Sequence, residues 1–208
     1  MIKAFFLIFE PMVTWDRIAQ ARRSLAAVFI TYLMPMVLIT VSVEGWGLYH
    51  WGKWQTQFQK LKDFPANTVI TYEAIQTLLL VGMVLVSALV LLRIAQTFGG
   101  RCSYLQTFKL IAYGFSPLFL VRLLDAGPSV PPAATWALGV LLTIWILYQG
   151  VPRVLLPDPA HAFGMYLSSI IVVTLTSGLV RVMTALYLLG YVDFHNSWLT
   201  HKFPGLFQ

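Results

Sequence analysis

The chain has 208 residues, of which 58% are hydrophobic and only 11% are charged, and its formal net charge is +6. A soluble domain carries about 25% charged residues, because its surface must face water. The scarcity of charge therefore indicates a protein with lipid around much of its surface, and it argues against a soluble enzyme with a polar cleft. The single cysteine, Cys102, excludes a disulfide scaffold, and 14% aromatic residues exclude a disordered chain.

The N-terminal tail contains a short amphipathic segment. Ile2, Phe5, Phe6 and Phe9 follow the spacing i, i+3, i+4 and i+7, which places them on one face of a helix. This helix is expected to lie on the membrane surface until Pro11 interrupts it. A basic segment over residues 15–23 then leads into the first span.

Five apolar windows are long enough to cross a membrane. A spanning helix needs about 20 apolar residues, since each residue rises about 1.5 Å and the hydrocarbon core is about 30 Å thick. The sequence therefore predicts an all-α membrane protein, a bundle of five transmembrane helices with amphipathic interfacial segments in a single integral membrane domain. Beyond Arg181 the fifth span either continues as one long helix or passes into a separate interfacial piece. The spans are predicted at residues 24–43, 74–92, 104–124, 133–149 and 162–182.

The loop predicted between the first two spans, residues 44–73, is rich in aromatic residues. Trp51, Trp54, Phe58 and Leu61 keep helical spacing, which predicts a surface helix. Trp46, Trp51 and Trp54 are interpreted as interfacial aromatics at headgroup depth. A docking surface for a partner subunit is the alternative interpretation.

Basic residues predict the orientation. Eight of them fall on the side of the N-terminus and six on the opposite side, where three loop lysines are matched by Glu44, Asp63 and Glu73. Because positively charged loops stay in the cytoplasm, we expect an inner-membrane protein with a cytoplasmic N-terminus and an external C-terminus. The larger group comprises Lys3, Arg17, Arg22, Arg23, Arg93, Arg101, Lys109 and Arg153.

Catalytic and cofactor motifs are absent from the sequence. There is no zinc-binding His-Glu-x-x-His helix, phosphate-binding loop or nucleophile elbow. No metal, cofactor or nucleic-acid partner is therefore predicted. All eight carboxylates fall at or beyond predicted span ends, which argues against a proton-coupled pump. Cys102 follows Arg101, and a nearby cation is expected to lower the pKa of its thiol.

The third span is the most polar. Lys109, Tyr113, Ser116, Pro117 and Arg122 place polar or helix-breaking groups in it, and Pro117 removes the hydrogen bond to the carbonyl of residue 113. Such a helix should be surrounded by protein. One interpretation is a buried, kinked helix, and the other is a polar groove for a lipid headgroup, an ion or a partner helix.

The fourth span is predicted to end at a turn signal. Tyr148, Gly150 and Pro152 follow one another at its C-terminal end, where Gly150 is expected to stop the helix and Pro152 to lead the chain away.

These two motifs resemble a known family. Residues 107–117 (TFKLIAYGFSP), 144–152 (IWILYQGVP) and 160–162 (AHA), with the N-terminal residues 10–18 (EPMVTWDRI), resemble the Yip family, the Ypt/Rab-interacting membrane proteins, in a bacterial-type member. The resemblance implies five spans and a cytoplasmic N-terminus. Eukaryotic members engage GTPase-related partners through a sizeable N-terminal region, but here only about two dozen residues precede the first span. GTPase binding is therefore not expected.

Two functional hypotheses follow. The leading one is a non-enzymatic protein of the Yip type that organises membrane partners or lipid through helix-helix contacts, with self-association included. The candidate contacts with lipid or a partner are Lys109, Tyr113, Ser116, Pro117, Arg122, Tyr148, Gly150 and Pro152. The alternative is a small-solute or ion transport component, which requires Lys109, Tyr113, Ser116 and Arg122 to converge on a hydrated path.

Overall fold

The computed structural model describes residues 2–55, 60–62, 64–98, 102–158 and 160–189. Two short helices precede five long ones, and each long helix has the length and apolar composition needed to cross a membrane. The predicted all-α membrane fold with five spanning helices is confirmed. The helices are α1 (Ile2–Phe9), α2 (Pro11–Gln20), α3 (Leu25–Trp51), α4 (Ala66–Thr97), α5 (Tyr104–Ala126), α6 (Pro132–Val154) and α7 (Ala162–Leu189).

The connection between the first two spans is shorter than predicted. Helix α3 continues past Glu44 to Trp51, and α4 begins at Ala66, so residues 52–65 replace the predicted loop 44–73. The predicted surface helix through Trp51 and Leu61 is wrong. Strand β1 (Lys53–Gln55) instead pairs antiparallel with β2 (Lys60–Lys62), with Lys53 opposite Lys62. Gly52 ends α3 at φ 65°, a backbone conformation that glycine adopts without strain.

Helix α5 lies at the centre of the bundle. In its 18-residue apolar window, 83% of the residues are buried by the rest of the protein, whereas 33–50% are buried in the corresponding windows of the other four long helices. The helix is interrupted at Phe115, directly before Ser116 and Pro117. The carbonyl of Tyr113, which Pro117 cannot bond, accepts a hydrogen bond from the Ser116 hydroxyl. The third span is thus the buried, kinked helix of the first interpretation.

The last two helices settle two sequence questions. Helix α6 begins at Pro132 and runs through Gly150 and Pro152 to Val154, so the predicted glycine stop is wrong. Helix α7 is continuous from Ala162 to Leu189, with no break at Arg181. The segment beyond Arg181 is therefore part of one long helix.

The N-terminal helices pack on the bundle. Helix α2 contacts α6, and α1 contacts α5 and α6. Leu7, which lies off the predicted apolar stripe, is fully buried, whereas Phe6 and Phe9 are exposed. We call the end of the bundle where α3 starts the Trp15 end, and the end where α3 finishes the Glu44 end.

Candidate functional site

A cluster of charged and polar side chains joins all five long helices and the hairpin at the Glu44 end. Its members are all buried or nearly so, and two ion pairs form its centre. Polar groups in a membrane-spanning bundle are stable only when neighbouring protein satisfies them. We call this group of side chains the polar cluster. It comprises Glu44, Lys53, Tyr72, Gln76, Arg122, Asp125, Thr135 and Arg181.

Glu44 is the acceptor at the first centre of this cluster. Its Oε2 accepts from Arg122 Nε at 2.8 Å and from Gln76 Nε2 at 2.7 Å. Its Oε1 accepts from the Tyr72 hydroxyl at 2.9 Å. One carboxylate thereby joins α3 to both α4 and α5.

Asp125 forms the second centre, at the end of α5. Its carboxylate pairs with Arg181 of α7 and accepts from the Thr135 hydroxyl of α6 at 2.6 Å. Arg181 also donates from Nη2 to the Pro132 carbonyl at 2.8 Å and to Thr135 Oγ1 at 2.9 Å. These bonds hold the start of α6 between α5 and α7.

Lys53 attaches the hairpin to the cluster. Its Nζ donates to the carbonyls of Asp125 at 2.5 Å and Gly127 at 3.2 Å. Burial lowers the pKa of Lys53, because the charged ammonium loses water there. The ammonium satisfies carbonyl groups that the end of α5 leaves without helical partners.

Several polar atoms in or beside this cluster lack a partner among the described residues. They include Arg122 Nη2, Gln76 Oε1 and both carboxylate oxygens of Glu73. Glu73 faces α3 at Gly45, where a Cβ atom would lie 2.9 Å from its Cγ. Arg122 Nη2 is a donor on a side chain that is only 5% exposed.

An open cleft lies beside the cluster, between α4, α5, α6 and α7. Its empty volume, including the open mouth, is about 280 Å³. Arg122, Thr135, Ser177 and Arg181 give it a polar side. The Trp136 indole, also at the cleft, donates to Ser177 Oγ at 3.2 Å. Its apolar lining includes Leu80, Met83 and Leu118.

A second junction lies at the Trp15 end. Trp15 of α2 is fully buried, and its Nε1 donates to the Ile146 carbonyl of α6 at 3.1 Å. A Cβ atom at Gly150 would lie 2.6 Å from the indole ring, so this position needs glycine for the close approach. Arg153 and Asp16 form an ion pair at 3.3 Å on the rim of the junction.

Lys109 belongs to this end as well. Its Nζ donates to the Ala21 carbonyl at 2.7 Å, directly after α2 ends. A cationic donor at a helix C-terminus satisfies an orphan carbonyl and interacts favourably with the helix dipole. Lys109 therefore fastens the N-terminal segment to α5.

The remaining contact candidates on α5 pack inside the bundle. The ring of Tyr113 contacts that of Tyr32, with centroids 4.1 Å apart, and the Tyr32 hydroxyl hydrogen-bonds Ser116 Oγ. Pro117 is buried beside them. Of the eight candidates for contact with lipid or a partner, only Tyr148 and Pro152 are exposed on the chain described.

The interfacial aromatics are only partly described. Trp46 and Trp51 are exposed near the end of α3, with ring centroids 4.8 Å apart. Trp54 lies in β1, and its side chain is outside the described part. The C-terminal residues 190–208 are also outside it.

The pKa of the Cys102 thiol is shifted in the direction opposite to the one predicted from the sequence. Burial raises the pKa of its thiol, whereas Arg101 was expected to lower it. The expectation of a lowered pKa is wrong, because desolvation of the thiolate dominates.

Sequence reasoning missed the two carboxylates at the centre of the cluster. Glu44 and Asp125 were assigned to span ends, but both are buried within helices long enough to span a membrane. The sequence contained a signal for the pairing of Glu44 with Arg122. Arg122 lies inside an apolar window and needs a counter-ion, and Glu44 was predicted on the same side of the membrane.

A match to a family model shows to which family the chain belongs. The Yip1 domain model matches residues 5–190. The chain belongs to the Yip1 family. This Yip1-family protein is a multi-pass membrane protein, and the family is not known as a family of enzymes. No curated protein and no solved structure matches the chain.

Proposed function

We propose that this Yip1-family protein is a non-enzymatic membrane protein that organises partners or lipid through helix-helix contacts. The observation that carries the proposal is a strip of exposed apolar residues along α7. Its members recur every four residues over about 30 Å, the thickness of the hydrocarbon core. They are Phe163, Leu167, Ile171, Leu175, Leu179 and Met183.

The polar cluster supports this role from the inside of the bundle. Two ion pairs, Glu44 with Arg122 and Asp125 with Arg181, fix the relative positions of α3, α5 and α7. A bundle held in this way presents a stable apolar face to a second helix. Membrane lipid, other membrane proteins and a second copy of this chain are the partners of such a face.

The protein is proposed to lie in the cell inner membrane, with its N-terminus in the cytoplasm and its C-terminus outside. At the Glu44 end, Lys53, Arg122 and Arg181 are bound in the polar cluster. At the Trp15 end, Arg22 and Arg93 are exposed, as are Arg17 and Arg23. Exposed basic residues beside spans favour the cytoplasmic side.

GTPase binding is not part of the proposal. The described N-terminal region before α3 consists of α1 and α2, and both pack against the bundle. Trp15 is buried against α6. The part of this region that the structure describes is therefore occupied by contacts with the protein itself.

The transport alternative has less support. It requires Lys109, Tyr113, Ser116 and Arg122 to line one path. Lys109 and Arg122 are thirteen residues apart on α5, which corresponds to about 20 Å. Of the four, Arg122 alone is among the residues that line the cleft described above.

Photo-crosslinking in native membranes tests the proposed role. A photo-reactive amino acid at Leu175, on the exposed strip, is expected to give adducts with a second protein or a second copy. Val173 on the same helix is buried and serves as the matched control, for which no intermolecular adduct is expected. Lipid adducts alone at Leu175, together with a monomeric protein that purifies without partners, would contradict the helix-helix contacts with another chain that the proposal requires.

A further inference from the structure

We propose that the cleft between α4, α5, α6 and α7 binds the phosphate group of an anionic phospholipid. The inference rests on the proposed function and names a lipid class for it. Two arginines from different helices, Arg122 and Arg181, line this one cleft. Guanidinium groups carry five N–H donors in a fork that matches phosphate oxygens.

Each arginine retains donors after its ion pair is formed. Arg122 bonds Glu44 through Nε, while its buried Nη2 has no partner within the described ranges. The hydrogen bonds described for Arg181 use Nε and Nη2, which leaves Nη1. A buried cationic donor without an acceptor is costly, and an anionic oxygen in the cleft removes that cost.

The hydroxyl groups of the cleft complete the polar side. Thr135 Oγ1 lies in the first turn of α6 and is bonded to both Asp125 and Arg181. Ser177 Oγ accepts from the Trp136 indole, which orients it at the cleft. These groups and the two arginines line the polar side of the open cleft.

The apolar side of the cleft points to a lipid as the source of the phosphate. Leu118 lies one turn from Arg122 toward the middle of α5, and Leu80 and Met83 lie one and nearly two turns beyond Gln76 in α4. Polar groups thus face the end of the bundle, while apolar groups face its centre. A phospholipid has the same arrangement, with its phosphate above its acyl chains.

Lipid titration of the full chain in a non-ionic detergent tests the proposal. Native mass spectrometry follows the binding of phosphatidylglycerol and, for comparison, of phosphatidylcholine. We expect saturable binding of phosphatidylglycerol, weaker binding of phosphatidylcholine, and no displacement by excess inorganic phosphate. Displacement by inorganic phosphate would assign the cleft to the free anion and overturn the lipid assignment.

Two variants localise the binding. Asp125→Asn with Arg181→Gln removes the guanidinium without leaving an unpaired carboxylate, and we expect Kd for phosphatidylglycerol to rise about tenfold. Ser177→Leu fills the cleft and leaves every charge in place, with the same expected direction. Arg93→Gln removes an exposed arginine at the opposite end and should leave Kd unchanged. Equal Kd values for all variants that remain monodisperse would overturn the proposal.

The lipid proposal and the proposed function fail separately. Leu175 lies on the exposed strip of α7, away from the cleft residues Ser177 and Arg181. Loss of specific lipid binding with intact crosslinks at Leu175 would overturn only the lipid assignment. Loss of crosslinks with intact lipid binding would overturn only the organising role.

Discussion

Arg122 and Glu44, 78 residues apart in the chain, form a buried ion pair between the third and first spanning helices. The Nε to Oε2 distance is 2.8 Å, and each side chain is only 5% exposed. Tyr72 and Gln76 bond the same carboxylate. These charges within the spans therefore connect α3 to α5.

Replacing Gly150 with alanine should destabilise the protein by about 1–3 kcal/mol, because the new methyl group overlaps the Trp15 ring. Gly82→Ala is the matched control, since a Cβ atom there meets nothing within 4 Å. That variant should be neutral or more stable by up to about 1 kcal/mol. Thermal unfolding in detergent measures both, and equal midpoints would contradict the packing of Trp15 against α6.

Lys109→Met should loosen the N-terminal segment. The variant removes a charged hydrogen bond to the Ala21 carbonyl, worth about 1.5–3 kcal/mol. Hydrogen–deuterium exchange should become faster over residues 11–23. Arg93→Met, which removes an exposed charge at the same end, should not change it. Unchanged exchange in Lys109→Met would return Lys109 to the role of a lipid contact.

Cys102 should react slowly with alkylating reagents at neutral pH. Burial raises the pKa of the thiol, so the reactive thiolate becomes abundant only at a pH above the ordinary cysteine range, near 8.5. The rate of alkylation against pH measures this directly, because the chain has one cysteine. The denatured protein provides the reference curve. A midpoint below that of the denatured protein would contradict the desolvation argument.

The same cysteine reports the orientation in the membrane. Cys102 lies at the Trp15 end, so a membrane-impermeant thiol reagent should modify it only in permeabilised cells. Asn67→Cys in a Cys102→Ser background lies at the Glu44 end and should be modified in intact cells. The reversed pattern would place the N-terminus outside.

The five spans could be predicted from the sequence because apolar windows of membrane length are rare in other proteins. Their ends could not, since Glu44 and Glu73 were interpreted as markers of water. In the structure α3 continues for seven residues past Glu44, because Arg122 and Gln76 replace water around that carboxylate.

The candidate site could be predicted only in part. Pro117 and the polar residues of the third span correctly indicated a buried, kinked helix. The partners of Arg122 and Arg181 depend on which helices are neighbours, and a single sequence does not give this. Gly150 was interpreted as a helix stop because its role, the close approach of Trp15, involves a residue 135 positions away.

A double-mutant cycle on Glu44 and Arg122 tests most directly whether buried charges hold this bundle together. Glu44→Gln and Arg122→Gln should each cost about 3–5 kcal/mol of unfolding free energy, and the double variant much less than their sum. The exposed pair Asp16 and Arg153 is the control, with side chains 55% and 28% exposed and an expected coupling of about 0–1 kcal/mol. Additive costs at Glu44 and Arg122, with no more coupling than the control pair, would contradict the account.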